Sequence, residues 1–397
     1  MISERAQNLQ QSATLKVTGR AKELKRQGKS IVSLSAGEPD FKTPKYICDA
    51  AIQAINDGLH GYTMNTGTPE LRDAIVAKLK RDNNLEYDPS QIICSNGAKQ
   101  SVGFSLLAVV NKGDEVIIPA PYWVSYPEMV RLAEGKSVVV RTSFDNDFKL
   151  TPEQLEAAIT DKTKVLILCS PSNPTGSCYS KEDMEGLAEV LRKHPQVLVL
   201  SDEIYEYIVF DEEHVSLINV APDLKDRVML INGFSKGFAM TGWRLGYLAA
   251  TNEIVGAVSK IQSQETSAPS TISQKAGEVA YNGDLSEVHA MRDEFKKRRD
   301  FMVESLNSID GVSCFTPGGA FYVFPDISHY LGTKKPDGAT IESSTDLCLY
   351  LLDECGLAVV PGDAFGEPHG LRMSYAASVS DLEEAMSRFK KGLESLS

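Results

Sequence analysis

From residue 91 onward the chain alternates short, nearly uninterrupted apolar runs with amphipathic stretches. QIICS at 91–95, EVIIP at 115–119, SVVVRT at 137–142, KVLILCS at 164–170, VLVLS at 197–201, VMLIN at 228–232 and GYLAA at 246–250 each have the length and Val/Ile/Leu content of a buried strand. Between them, 101–110, the run SYPEMVRLAE, 152–160 and 181–193 carry helical spacing. Strands apolar on both faces and alternating with helices predict a large, mostly parallel sheet covered on either side, an α/β three-layer sandwich. Parallel crossovers place functional loops at the carboxyl ends of the strands. NGAKQ, APYW, SPSNPTG, SDEIYE and NGFSK are therefore expected along one rim.

The flanks read differently. Residues 12–29 predict a helix ending at Gly28, IVSLS at 31–35 a short strand, and AGEPDF at 36–41 a tight loop able to approach a ligand. A helix over 45–57 stops at Gly58, and Thr68 with Pro69 marks the start of another. Beyond about 285 come a long charged helix at 286–309, short strands in VSCF, AFYVFP, GLAVVPG and GLRMSYA, and helices at 344–355 and 380–394. This predicts a smaller α+β domain built from both termini, 1–45 with 286–397, beside a large domain over 46–285. GTKKPDGAT at 332–340 predicts an exposed, mobile loop.

Composition narrows the function. The 397 residues are 42% hydrophobic and 24% charged, as in a globular protein, and the net charge of −13 argues against a nucleic-acid partner. No run reaches the roughly 18 apolar residues that cross a membrane, and MISERAQNLQQSAT lacks the apolar core of a secretory signal. Seven scattered cysteines without a CxxC, and six isolated histidines without an HExxH, point to no metal site and to a reducing compartment, the cytoplasm.

The segment NGFSKGFAMTGWRLGY, 232–247, holds Lys236 and Arg244 among four glycines and no acid. It is either a solvated basic loop or a pair of buried cations that need an anionic partner. NGAKQ outlines a phosphate cradle at a helix N-terminus, while Walker A and GxGxxG patterns are missing. Asp202 just past VLVLS is either a turn cap or a buried acid facing a proton donor or cation. Tyr205 lies three residues on, and Pro171 and Pro174 stiffen the loop that presents Asn173. One ligand satisfies them together: a phosphate for the glycine turn and Arg244, a phenolic oxygen for Asn173 and Tyr205, a ring N–H⁺ for Asp202 and an aldehyde for Lys236. That ligand is pyridoxal 5′-phosphate.

SDEIYE and SKGFAMTGWRLGY, with AGEPDF, PYWVSY and SPSNPTG, resemble the fold-type I, class I aminotransferases over essentially the whole chain. They look most like the bacterial aspartate aminotransferase branch that includes aspartate/prephenate aminotransferases. The resemblance implies that Lys236 is the Schiff-base lysine and proton shuttle, and that Asp202 pairs with the pyridine nitrogen. It implies that Asn173 and Tyr205 bond the phenolic oxygen and that Trp123 stacks on the ring. Ser235, Arg244 and the backbone at Ala98 and Lys99 would form the phosphate cup. Tyr62, on residues alone either a surface aromatic or a hydroxyl donor, would reach the phosphate of a neighbouring subunit and so imply a homodimer. Arg372, which could otherwise sit in an internal salt bridge, would grip the substrate α-carboxylate, with Gly37 contacting the same group. The lysine's pKa is expected to fall beside the cationic ring and Arg244, and closure of the smaller domain to exclude water.

The resulting activity is ping-pong amino transfer between amino acids and 2-oxo acids. Lys99, where most relatives carry a small residue, favours dicarboxylic substrates: aspartate or glutamate with 2-oxoglutarate or oxaloacetate. Thr14, a helix N-cap or a substrate contact, adds prephenate as an acceptor. A C–S lyase or other eliminase on this scaffold, and a non-catalytic binding protein of the same fold, are the alternatives. Lys99 counts against the first; the second usually carries an added DNA-binding segment and is disfavoured further because Lys236, Asp202, Tyr205, Asn173, Arg244 and Arg372 are all present.

Overall fold

Successive side chains of the strand Thr163–Cys169 enter two different cores: Val165 and Ile167 join one apolar cluster, Leu166 and Leu168 the other. Ile117 and Ile118 of Glu115–Ala120 divide in the same way. A strand covered on both faces has no polar side to show, which is why these runs read as unbroken Val, Ile and Leu. The computed structural model describes residues 1–10 and 13–397, and the side chains of these apart from 13–16 and 18.

Seven strands form the large sheet, in the spatial order Ile92–Ser95, Gly246–Ala249, Val228–Gly233, Leu198–Asp202, Thr163–Cys169, Glu115–Ala120, Lys136–Arg141. Gly246–Ala249 runs antiparallel to both neighbours, and the remaining pairings are parallel. Helices start where the sequence marks them. Thr68 accepts from the Leu71 N–H ahead of Pro69, and Thr151 and Ser180 close capping boxes. The helix Ala98–Val109 begins three residues earlier than its apolar run, so the NGAKQ turn merges directly into its first turn.

Two smaller sheets lie outside this one. Val32–Ser33 pairs in parallel with Leu357–Ala358, joining an early strand to a late one. Val360–Pro361, Leu371–Ser374 and Tyr322–Val323 form a three-stranded antiparallel sheet. GLAVVPG, expected as one strand, is thus split between two sheets at Val359, whose own side chain is buried. VSCF forms no strand, only an isolated bridge from Ser313 to Asp326.

The helices Asn252–Glu265 and Thr271–Asn282 fall where the apolar pattern drew no element. Their sequences are rich in Gln, Ser and Glu, and several of these polar side chains are buried. Gln262 and Gln274 both bond to backbone in the interior. The 332–340 stretch is exposed but not free. Lys335 N–H donates to Ala339 and Lys334 exchanges backbone bonds with Ser397, so the stretch, exposed as expected, is a hydrogen-bonded hairpin turn.

Candidate functional site

The strand Leu198–Asp202 ends on Asp202, whose side chain is buried against the helix Tyr126–Leu132. The Tyr126 hydroxyl donates to Asp202 Oδ2 at 2.7 Å, and the Ile204 N–H reaches Oδ1 at 3.3 Å. Burial disfavours the charged form and pushes the Asp202 pKa up to about 6, with Glu203 adding to the rise and Tyr126 and Lys236 opposing it.

Val228–Gly233 and Gly246–Ala249 pair antiparallel, with Gly233 opposite Gly246, so residues 234–245 leave and re-enter the sheet side by side. Lys236 and Arg244 ride on this excursion. Lys236 Nζ donates to the Gly37 carbonyl and lies 5.6 Å from the Tyr205 ring centre. Its pKa falls to about 8, chiefly through burial and then through Arg372; Arg244, named from the sequence, also lowers it but by a smaller part. Of the two cations that the sequence left as either solvated or buried, Lys236 is half-buried and Arg244 is exposed. Its backbone takes the left-handed conformation, φ 53°, after the turn Thr241–Trp243, which carries the side chain to the open mouth. There its guanidinium donates to the carbonyls of Thr241 and Asn96 at 2.8 and 3.2 Å.

Glycines let these parts meet. A Cβ on Gly246 would fall 2.3 Å from Ala98 N, and one on Gly97, at φ +86°, would fall 2.4 Å from Arg244 Nη2. Arg244, Gly97 and the first N–H groups of the helix Ala98–Val109 therefore converge. Such N–H groups have no partner inside their own helix and favour an anion. Lys99, in that first turn, places Nζ 5.2 Å from the Trp123 ring centre. Partial burial and the charge of Arg244 hold its pKa below the usual lysine value.

Arg372 comes from the strand Leu371–Ser374 and is 2% exposed. Nη1 donates to Asn173 Oδ1 at 3.0 Å and Nη2 to the Ser35 carbonyl at 2.8 Å, while Nε is buried without a partner. The guanidinium stacks over Tyr322 and Phe365, 4.6 and 5.2 Å from their centres. Among the described residues no carboxylate reaches it, which removes the internal salt-bridge explanation. A buried cation with an unused donor is prepared for an external anion.

One cavity of about 450 Å³ joins these groups. Gly37, Ala98, Lys99, Trp123, Asn173, Asp202, Tyr205, Ser235, Lys236, Arg244 and Arg372 all line it. Tyr62 does not: its side chain is fully exposed on the outer surface. Thr14 belongs to the helix Ala13–Arg26, but its side chain lies outside the described residues. The sequence reading missed Tyr126, three residues after Trp123 in the same loop, and Tyr322, whose hydroxyl shares a 2.8 Å hydrogen bond with Tyr205. It also missed Lys22 and Glu38 on the cavity lining. The only local signal for Tyr126 was its place one turn after Trp123 in the same loop; nothing local distinguishes Tyr322 from a core aromatic.

Behind Asp202, on the far side of the strand, Glu203, Glu206 and His214 converge. Their carboxylate oxygens are already engaged. Ser201 and Ser216 donate to one Glu203 oxygen and His214 pairs with the other; Lys78 and Asn83 hold the two of Glu206. The cluster is a buried polar network that anchors the strand end rather than a metal centre.

A seven-stranded, mostly parallel sheet with a lysine, an acid and a carboxylate-free arginine around one cavity defines a particular class of enzyme. The chain belongs to the family described as aminotransferase class I and II, whose model matches residues 29–389. It is 50% identical over 99% of its length, and 82% of the relative's, to the bifunctional aspartate aminotransferase and glutamate/aspartate-prephenate aminotransferase of Petunia hybrida. It is 46% identical to the aspartate/prephenate aminotransferase of Nitrosomonas europaea, over 98% of both chains. Among solved structures, the aspartate aminotransferase of Rhizobium meliloti superposes with a TM-score of 0.97 at 44% identity, covering all of both chains. That of Thermus thermophilus, solved with maleate, gives 0.92 at 40% identity over 99% of each. No helix of the described residues is long and apolar enough to cross a membrane.

Proposed function

We propose that the protein is a pyridoxal 5′-phosphate-dependent aminotransferase that moves the amino group between aspartate or glutamate and a 2-oxo acid, with prephenate among the acceptors. The observation that carries this reading is Arg372, a buried guanidinium with a spare donor and no protein carboxylate. Bound, the cofactor supplies an electrophilic aldehyde and a ring that accepts the electron pair released at the substrate Cα. The donor set suits it. The Gly97–Ala98 turn, Ser235 and Arg244 would hold the phosphate, Asp202 the ring N–H⁺, Asn173 and Tyr205 the phenolic oxygen, and Trp123 the ring face. Lys236, with its lowered pKa, holds and moves the proton at Cα. Arg372 orients the α-carboxylate with Gly37 beside it, and Lys99 takes a distal carboxylate.

We assign 46–285 to the cofactor-binding domain, and 1–45 with 286–397 to the domain that closes over the substrate. A homodimer completes the site through Tyr62. Ile52 and Ile55, one turn apart on the helix Lys45–Asn56, are exposed together with Leu59, Tyr62 and Met64, an apolar patch suited to a second copy. The seven free cysteines suit a reducing compartment such as the cytoplasm.

The test is a panel of amino donors against 2-oxoglutarate, oxaloacetate and prephenate with purified holoenzyme. Turnover of aspartate and glutamate, abolished in Lys236→Ala, is expected. Release of pyruvate or ammonia without an oxo acid would show an eliminase instead.

A further inference from the structure

Tyr126 is the one cavity-lining side chain that bonds directly to the buried acid, and the function above gives it no part. It opens the helix Tyr126–Leu132, is 2% exposed, and sets its ring edge-on to Trp123 with centres 5.3 Å apart. Its N–H donates to the Trp123 carbonyl, so the cavity aromatic and the hydroxyl that reaches Asp202 belong to one turn of chain. Asp202 Oδ1 is held by the Ile204 N–H and Oδ2 by Tyr126.

We propose that Tyr126 is a positioning residue for the aminotransferase chemistry. By committing its only hydroxyl proton to Asp202 Oδ2, it keeps that carboxylate an acceptor, aimed and ready for the protonated ring nitrogen of the cofactor. The inference rests on the function proposed above and goes beyond it to a residue that touches neither substrate nor ring.

The physical case starts from burial. A carboxyl in this cavity is biased toward its neutral form, and a neutral carboxyl carries a proton of its own that competes with a ring N–H⁺. The groups facing Asp202 divide. Glu203, next along the strand end, raises its proton affinity; Lys236 across the cavity lowers it; the Cys169 thiol flanks it from the neighbouring strand. Glu203 is itself turned away and held by Ser201, Ser216 and His214. Among the described residues Tyr126 is the one side chain that donates directly to the carboxylate. Burial and the Asp202 charge push the phenol well above its ordinary pKa, so it keeps its proton and stays a donor across the working range. A hydrogen bond to the charged form favours that form.

The test is the pH dependence of pyridoxal 5′-phosphate affinity, measured by equilibrium dialysis on the full chain after cofactor removal. In the parent, affinity is expected to fall below a midpoint near 6. In Tyr126→Phe, which keeps ring and volume, the midpoint should move up by about one pH unit, leaving affinity about fivefold weaker at pH 6 and unchanged at pH 9. The cofactor phosphate titrates alike in both proteins, so the difference between the curves reports the acid. Asp202→Asn should erase the difference between Tyr and Phe at position 126. As a second variant, 3,5-difluorotyrosine at 126 is a stronger donor and should move the midpoint down. An unmoved midpoint in either variant, or a uniform loss at every pH, overturns the inference and leaves Tyr126 a packing residue. If the parent itself takes up no cofactor, the proposed function fails rather than the role of Tyr126.

Discussion

At the scale of single residues, the site is built from charges placed where they are uncomfortable. Arg372 is the clearest case, because its planar fork already uses two donors on Asn173 and Ser35 and keeps a third within the protein interior. Lysine keeps the charge but cannot reproduce the fork. Arg372→Lys should therefore lower kcat/KM for dicarboxylic amino donors by about 10- to 100-fold, the worth of one or two charge-assisted hydrogen bonds. Cofactor affinity should change little; an unaltered kcat/KM in steady-state assays would remove Arg372 from substrate binding.

Lys236 makes a prediction in pH. Its folded pKa near 8 lies below the ordinary lysine value, so the neutral, nucleophilic amine becomes the major form as pH rises through 8 rather than above 10. The rate of cofactor uptake by the cofactor-free protein, followed by stopped-flow absorbance, should climb with pH and level off just above 8. A rise continuing to pH 10 would mean that burial and Arg372 do not depress the amine.

At the scale of elements, the contact between a strand and a helix start decides the anion pocket. Gly246→Ala would put a methyl within 2.3 Å of Ala98 N, and backbone must shift to admit it. Overpacking of this kind costs about 1–3 kcal/mol, and here the shift displaces the N–H groups assigned to the phosphate. Phosphate-dependent cofactor affinity should fall about tenfold or more, read by fluorescence titration, while pyridoxal without its phosphate binds equally to both proteins.

The same scale shows what the sequence could reveal. Strands such as Thr163–Cys169 were legible because two cores need two apolar faces. Asn252–Glu265 and Thr271–Asn282 were not, since their buried positions include glutamines satisfied by backbone far away in sequence. GLAVVPG has strand composition throughout, and composition does not say that Leu357 and Val360 pair with different partners. The cavity-lining residues were readable where they punctuate strand ends, as Asp202 and Asn173 do. Tyr126 and Tyr322 were hidden because a buried aromatic looks alike whether its hydroxyl meets a carboxylate or only the core. The exposure of Arg244 was hidden too: it depends on a left-handed backbone turn that no apolar pattern records.

At the scale of the whole molecule, the exposed Ile52, Ile55, Leu59, Tyr62 and Met64 are the test of assembly. Charges placed in a dimer contact are strongly unfavourable. Ile52→Glu with Ile55→Glu should convert a dimer into monomers at micromolar concentration by light scattering, and should loosen the cofactor as Tyr62 is withdrawn from the partner's site. An unchanged mass would place the subunit contact elsewhere.

The pairing of Gly233 with Gly246 has a mechanical consequence. The two ends of the stretch from Phe234 to Leu245 are held opposite each other in the sheet, and Phe234, Phe238, Met240 and Leu245 between them are packed in the core, so moving the stretch would mean uncovering that core. Lys236 and Arg244 thus form the fixed jaw of a vise. If the smaller domain closes as proposed, the travel is expected from the opposite jaw, the Gly37 loop together with Tyr322 and Arg372, toward a stationary amine.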